Sequence, residues 1–160
     1  MGNMAIILTD KEILSLIQEE KKFPKGWESL WQMKDKKGHR EQELTIQRND
    51  GSQFKIILRQ NKLDVLSFSI ILGYMAPKSN ILFRLRRYNG KHEHTNKIEK
   101  ENFYDFHIHK ATERYQNLGF DEDGYAEKSA GYNTIHNAID CLIEDRNIVL
   151  PEDSQMKLFH

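Results

Sequence analysis

Hydrophobic positions along this chain change their period twice, and the changes divide it into a leading helix, a run of strands and a second helical stretch. Thr9 followed by Glu12 has the spacing of a capping box, in which the cap hydroxyl and the glutamate each satisfy a free backbone N–H. Ile13, Leu14 and Ile17 then recur on one side, which predicts a helix over 9–21. Phe23-Pro24-Lys25-Gly26 ends it, because proline cannot continue the hydrogen-bond ladder and glycine lets the chain turn.

From Trp27 the period becomes two. Leu44 and Ile46 alternate with polar neighbours, Asn49-Asp50-Gly51 is a hairpin signal, and Phe54, Ile56 and Leu58 alternate on the return. Leu66, Phe68, Ile70, Leu72 and Tyr74 form the next one-sided strand, closed by the turn at 76–80. Strict alternation then sends Ile81, Phe83 and Leu85 one way and Arg84, Arg86 and Tyr88 the other, giving this strand a basic outer face. Tyr104, Phe106 and Ile108 alternate with Asp105, His107 and His109 in a shorter strand. Two helices follow. Ala111, Tyr115 and Leu118 share a face over 110–118, and Ile135, Ala138, Ile139, Leu142 and Ile143 form a longer stripe started by Asn133. The acidic stretch 120–131 has no clear period and reads as a loop or loose lid. The expected class is α+β: an antiparallel meander of five to six strands, with an N-terminal helix and C-terminal helices on one face. One domain holds the helix at 9–21, the sheet at 27–109, a helical segment at 110–147 and a tail at 151–160.

Length and composition fit this reading. The 160 residues suit one domain, and 38% hydrophobic with 30% charged residues describes a folded chain with a strongly solvated surface. A single cysteine, Cys141, excludes an internal disulfide and a cysteine-based zinc site, and points to a reducing, cytoplasmic compartment. No run is long and apolar enough for a membrane helix, the start lacks a secretory pattern, and Met1-Gly2-Asn3 is followed by Ile6 where an acylation signal needs Ser or Thr. The formal charge is zero, yet the stretch from Gly119 carries nine acidic against three basic residues. The first 118 residues are therefore net positive, which suits a face that meets phosphates and an acidic segment that shields it.

The chemistry concentrates in residues 92–109, where His92-Glu93-His94 and His107-Ile108-His109 supply four of the seven histidines. A His-x-His pair on a strand projects both imidazoles from one side. Such a pair can share a divalent metal, or act as acid and base around a phosphodiester, since histidine titrates near neutral pH. His109 lies just before the expected helix 110–118, whose N-terminal partial positive charge disfavours imidazolium and whose free N–H groups suit an anion. Arg84 and Arg86 would share the histidines' surface if the two strands pair, and guanidinium matches phosphate.

Three uses stay open. In the first, a metal-independent, ribonuclease-like phosphodiesterase needs no cofactor: His107 or His109 is the base, His94 or the other strand histidine the acid, and Arg84 and Arg86 stabilise charge. In the second, a binding module holds RNA or another nucleic acid through Arg84, Arg86, Tyr88, Lys91, Lys110 and Arg114, or engages a cognate partner protein. In the third, His92, His94, His107 and His109 ligate zinc or nickel. Tyr104 is a further candidate for stacking, and Glu113 could add a carboxylate. His39, His136 and His160 read as turn, helix-surface and tail residues, and Trp27 and Trp31 as packing. No membrane partner is expected, and a homo-oligomer is compatible with all three uses.

The run Phe83-Arg84-Leu85-Arg86-Arg87-Tyr88-Asn89-Gly90-Lys91-His92-Glu93-His94, followed by Phe106-His107-Ile108-His109, resembles small prokaryotic proteins in which a strand ends in an Arg-Tyr-Asp/Asn turn and histidine pairs follow. Some of these, the TumE-like group, are toxins of toxin–antitoxin pairs. The resemblance covers residues 81–116 and implies a protein from a mobile or defence-linked context, with ribonuclease-like toxicity as its suggested activity. Residues 111–116 and the acidic stretch after them depart from that pattern and look more like a separate family.

Overall fold

The computed structural model describes residues 6–152. Gly2, where the acylation signal fails, and the tail residue His160 fall outside them. Helix α1 spans Asp10–Gln18 and begins with the expected capping box: the Thr9 side chain accepts from the Glu12 N–H, and the Glu12 carboxylate accepts from the Thr9 N–H. Ile13 and Ile17 are buried, while Leu14 turns to solvent. Strand β1 (Lys21–Lys22) follows, and Trp27–Trp31 forms a short 3-10 turn rather than the start of a strand.

Strands β2 (Lys34–Asp35), β3 (His39–Gln47), β4 (Gln53–Asn61), β5 (Phe68–Met75) and β6 (Phe83–Asn89) pair in sequence as an antiparallel meander. Gly51 supplies the positive φ that the β3–β4 turn requires. Beyond β6 the chain forms the hairpin β7 (His94–Asn96) and β8 (Glu101–Phe103), then β9 (His107–Lys110), which pairs with β6. Helix α2 (Glu113–Asn117), strand β10 (Ala126–Lys128), helix α3 (Ile135–Asp145) and strand β11 (Ile148–Val149) complete the described chain. The class is α+β, but the main sheet has seven strands, in the order β10-β9-β6-β5-β4-β3-β2, against the expected five to six. The extra members are β2 and β10, too short to show alternation, and β10 lies inside the stretch expected to be loop. A parallel β1–β11 pair joins the two ends of the described fold.

Phe54, Ile56 and Leu58 of β4, Ile70 and Leu72 of β5, and Ile139 and Leu142 of α3 share one core with Ile13 and Ile17 of α1. Helix α2 contributes instead to a separate group, where the Tyr115 ring packs near Phe120 and Tyr125. Lys21 is fully buried, yet its ammonium donates to the carbonyls of Ile17, Glu19 and Arg146, satisfying all three N–H bonds.

The register of β6 departs from strict alternation. Arg86 faces Leu72 and Arg84 faces Gly73, so Leu85 is an extra residue, a β-bulge. A one-residue insertion exchanges the faces of everything beyond it. Tyr88 and Arg86 therefore join Ile70 and Leu72 on the helix-covered face, while Arg87 and Asn89 join Arg84 on the other. The expected outer trio of Arg84, Arg86 and Tyr88 is corrected accordingly: Tyr88 is fully buried in the core.

Just after β6, the Gly90 N–H donates to Phe68 O and the Lys91 N–H to Leu66 O. A Cβ at Gly90 would lie 1.8 Å from the Leu66 carbonyl oxygen, a backbone atom that cannot swing aside. Gly90→Ala is expected to lower unfolding free energy by about 1–3 kcal/mol, read from the denaturant midpoint. An unchanged midpoint would mean that the loop around Leu66 relaxes freely.

Candidate functional site

The β6–β9 register sets Asn89 opposite His107 and Arg87 opposite His109, all on the face away from the main core. The β7–β8 hairpin then folds over that face. The Asn96 side chain holds it there by accepting from the Ala126 N–H and donating to the Ala126 carbonyl, each at 2.8 Å. Those are the two bonds a further strand would make to β10, so one side chain both docks the hairpin and closes the sheet edge.

The docking unites the two His-x-His segments. The His94 ring lies 4.7 Å from His109 and 5.5 Å from His107, His107 and His109 are 4.8 Å apart, and His92 is 5.3 Å from His107. Phe103 packs against His94 and His107 and helps exclude water. Among the described residues, His94, His107 and His109 form a group whose potential metal-ligating nitrogens all lie within 4.8 Å of one another.

Asn89 organises the pocket. Its Oδ1 accepts from Ser69 Oγ at 2.7 Å and from Arg87 Nε at 3.0 Å. A guanidinium nitrogen can only donate, so the amide orientation follows from chemistry and the Nδ2 group must face the imidazoles. Nδ2 lies 2.8 Å from His92 Nε2, 2.9 Å from His109 Nε2 and 3.4 Å from His107 Nε2. Those nitrogens must therefore present lone pairs. The opposite ring edges agree: His107 Nδ1 donates to Asp105 O at 2.7 Å and His109 Nδ1 to Asp123 O at 2.6 Å. His94 is reversed, its Nε2 donating to Asn96 Oδ1 at 2.7 Å, which leaves Nδ1 as its lone-pair side. Outer bonds of this kind orient imidazole ligands at metal sites.

Arg84 and Arg87 both reach Asp123 Oδ2 at 3.2 Å, and Arg84 Nε also donates to Glu122 at 3.2 Å. The acidic stretch expected to be a loose lid thus clamps the basic face of β6. Arg86 points into the other face, where burial, and then the positive charge of Arg146, holds its guanidinium down to about 10. Tyr88 there accepts a hydrogen bond from Arg146. Lys110 lies opposite Arg86 and pairs with Glu127, Arg114 pairs with Glu99, and Lys91 is exposed beyond the strand. The six residues expected to form a nucleic-acid surface are divided between two faces of the sheet and its margins. Tyr104 is exposed and outside the histidine group.

The expected helix start beside His109 is also displaced. Helix α2 begins at Glu113 with Thr112 as its cap, and Asp10 accepts from the Glu113 N–H, so that helix end is occupied. Burial, not a helix terminus, disfavours the charged form of His107, His109 and His92: His107 is held to about 4 and His109 to about 2, with neighbouring histidines adding to the effect, and His92 is lowered as well. His39 instead contacts Glu41 and Arg59, and His136 packs on Trp31. Asn89, Arg87, Ser69 and Asp123 are the members of the site that sequence reasoning missed. Asn89-Gly90 reads as a turn signal, and the bulge that brings Arg87 inward leaves no mark on the alternation.

No protein-family model, curated protein or solved structure matches this chain.

Because the unfolded chain takes up imidazole protons near pH 6.5 while folded His107 resists them down to about 4, the unfolded state binds more protons in that interval. Stability is expected to fall as pH drops from about 6.5 toward about 4, by roughly 3 kcal/mol for His107 alone. Denaturant unfolding at several pH values, compared with His107→Gln/His109→Gln, tests this; equal pH slopes in the two proteins would sink it.

Proposed function

We propose that the pocket binds a divalent transition metal such as zinc or nickel through His94 Nδ1, His107 Nε2 and His109 Nε2, with His92 beside them. The observation that carries this reading is that His94, His107 and His109 each bring one ring nitrogen within 4.8 Å of the others, with two of the rings oriented by Nδ1–H bonds to backbone carbonyls. Tetrahedral ligands about 2.1 Å from zinc lie roughly 3.4 Å apart, so the three nitrogens need small side-chain rotations to close on an ion. The set is all imidazole, suited to zinc, nickel or copper rather than magnesium or calcium. Metal binding requires neutral imidazole, the form that burial favours here.

The Asn89 amide is the ion's competitor. It directs two protons at three Nε2 lone pairs, so at most two are served fully. An ion would take over His107 and His109, leaving Asn89 to His92. Metal-independent acid–base cleavage of RNA by the same imidazoles would need one of them protonated near neutral pH, and burial of His107 and His109 works against that form. A toxin–antitoxin or defence context rests on the resemblance over 81–116, and a nucleic-acid role for the six expected residues would draw on Arg86 and Lys110, which share one face, without Tyr88, which is buried, or Arg84, which is on the other face.

Protein purified without a metal-affinity tag, stripped with a chelator and titrated with zinc, nickel or cobalt is expected to take up one ion per chain. Single changes of His94, His107 or His109 to Ala should weaken uptake by more than about 100-fold, beyond the 10–100-fold effects typical of outer hydrogen-bond partners. Cobalt absorption in the visible range reports the imidazole coordination directly. Absence of stoichiometric uptake, or equal uptake by the triple variant, would overturn the reading.

A further inference from the structure

A groove of about 320 Å³ opens on the outer face of the sheet, and His92 is among its lining residues. Its cations are Lys37, Arg59 on β4 and Arg87 on β6, with His39 Nε2 3.3 Å from Arg59 Nη2; none of its eleven lining residues is acidic. The remaining polar donors include Gln60, Asn61 and Ser67. We propose that this groove binds a phosphate ester and presents it to the imidazole centre.

The placement of charge carries the inference. Arg59 is held through Nε by Glu41 at 3.1 Å, and Arg87 through Nη1 by Asp123 at 3.2 Å. Neither carboxylate lines the groove, so each anchors its guanidinium from outside the space. Arg87 is further braced by donating to Ser69 and Asn89. Guanidinium groups set on separate strands suit a tetrahedral group carrying more than one negative charge better than a carboxylate, which one arginine can match.

The groove also connects to the centre. His92 lines it, accepts from Asn89 Nδ2 at 2.8 Å and lies 5.3 Å from the His107 ring. A group seated against Arg87 and His92 is thus one side chain away from the three converging imidazoles. The volume is at the lower end for ligand sites, enough for one phosphate with the start of its ester group. Presentation to the centre rests on reading His94, His107 and His109 as the functional site; anion binding in the groove does not.

Binding is therefore measured on chelator-treated protein, with 5′-adenosine monophosphate and a short fluorescent single-stranded RNA as probes. Lys37→Gln/Arg59→Gln changes exposed side chains outside the core and is expected to weaken binding of at least one probe by more than about 10-fold and to reduce its salt dependence. Changing the distant, exposed Lys11 to Gln should leave binding unchanged. Comparable affinity for both probes identifies a single-phosphate site; tighter, more salt-sensitive RNA binding identifies a polymer strand, and either pattern supports the groove. Failure of both probes to bind, or equal binding by Lys37→Gln/Arg59→Gln and the unaltered protein, would overturn the proposal while leaving the metal titration intact.

Discussion

Between Arg84 and Arg86 the sixth strand carries one residue more than its neighbour, and the composition of the histidine pocket depends on that insertion. With unbroken alternation, Arg86 and Tyr88 would have faced His107 and His109, and Asn89 would have pointed into the helix-covered core. The bulge at Leu85 exchanges them. Tyr88 enters the core beside Ile70, and Asn89 meets the imidazoles with Arg87 next to it. Bulges are common where a strand must re-aim side chains at a site, and this one re-aims four.

Once Asn89 is placed, the proton positions follow from donor and acceptor chemistry. Arg87 can only donate, which assigns the amide oxygen; the amide N–H groups then require lone pairs on the facing imidazoles, and backbone carbonyls take up the opposite ring N–H groups. Each assignment agrees with the next without an added charge. Burial reinforces the result, since an imidazolium here would lose hydration and meet other histidines. Neutral rings with inward lone pairs are the state in which imidazole holds a metal.

The arginines show the opposite arrangement. Arg84 and Arg87 stay charged next to neutral histidines because Glu122 and Asp123 fold over them. Asp123 acts twice, its carboxylate pairing with both guanidinium groups while its backbone carbonyl receives His109 Nδ1–H. A separation of charge along the chain, basic before Gly119 and acidic after it, thereby becomes a local contact. Toward β4 this cover ends, and Arg87, Arg59 and Lys37 border open space.

The amino-acid sequence by itself determined the elements whose signals are local. The Thr9–Glu12 capping box, the turn at Asn49-Asp50-Gly51, the alternation of Phe54, Ile56 and Leu58, and the stripe on α3 depend on neighbours a few residues away, and hydrophobic period and turn chemistry report them. The outward projection of His107 and His109 from one strand was legible for the same reason. Only the tertiary structure decided that His94 reaches them, because that depends on Asn96 binding the edge of β10, thirty residues further along the chain. Only the tertiary structure exchanged Arg86 for Arg87, because a bulge is set by how a strand fits its partner, and periodicity within one strand carries no record of the partner's register.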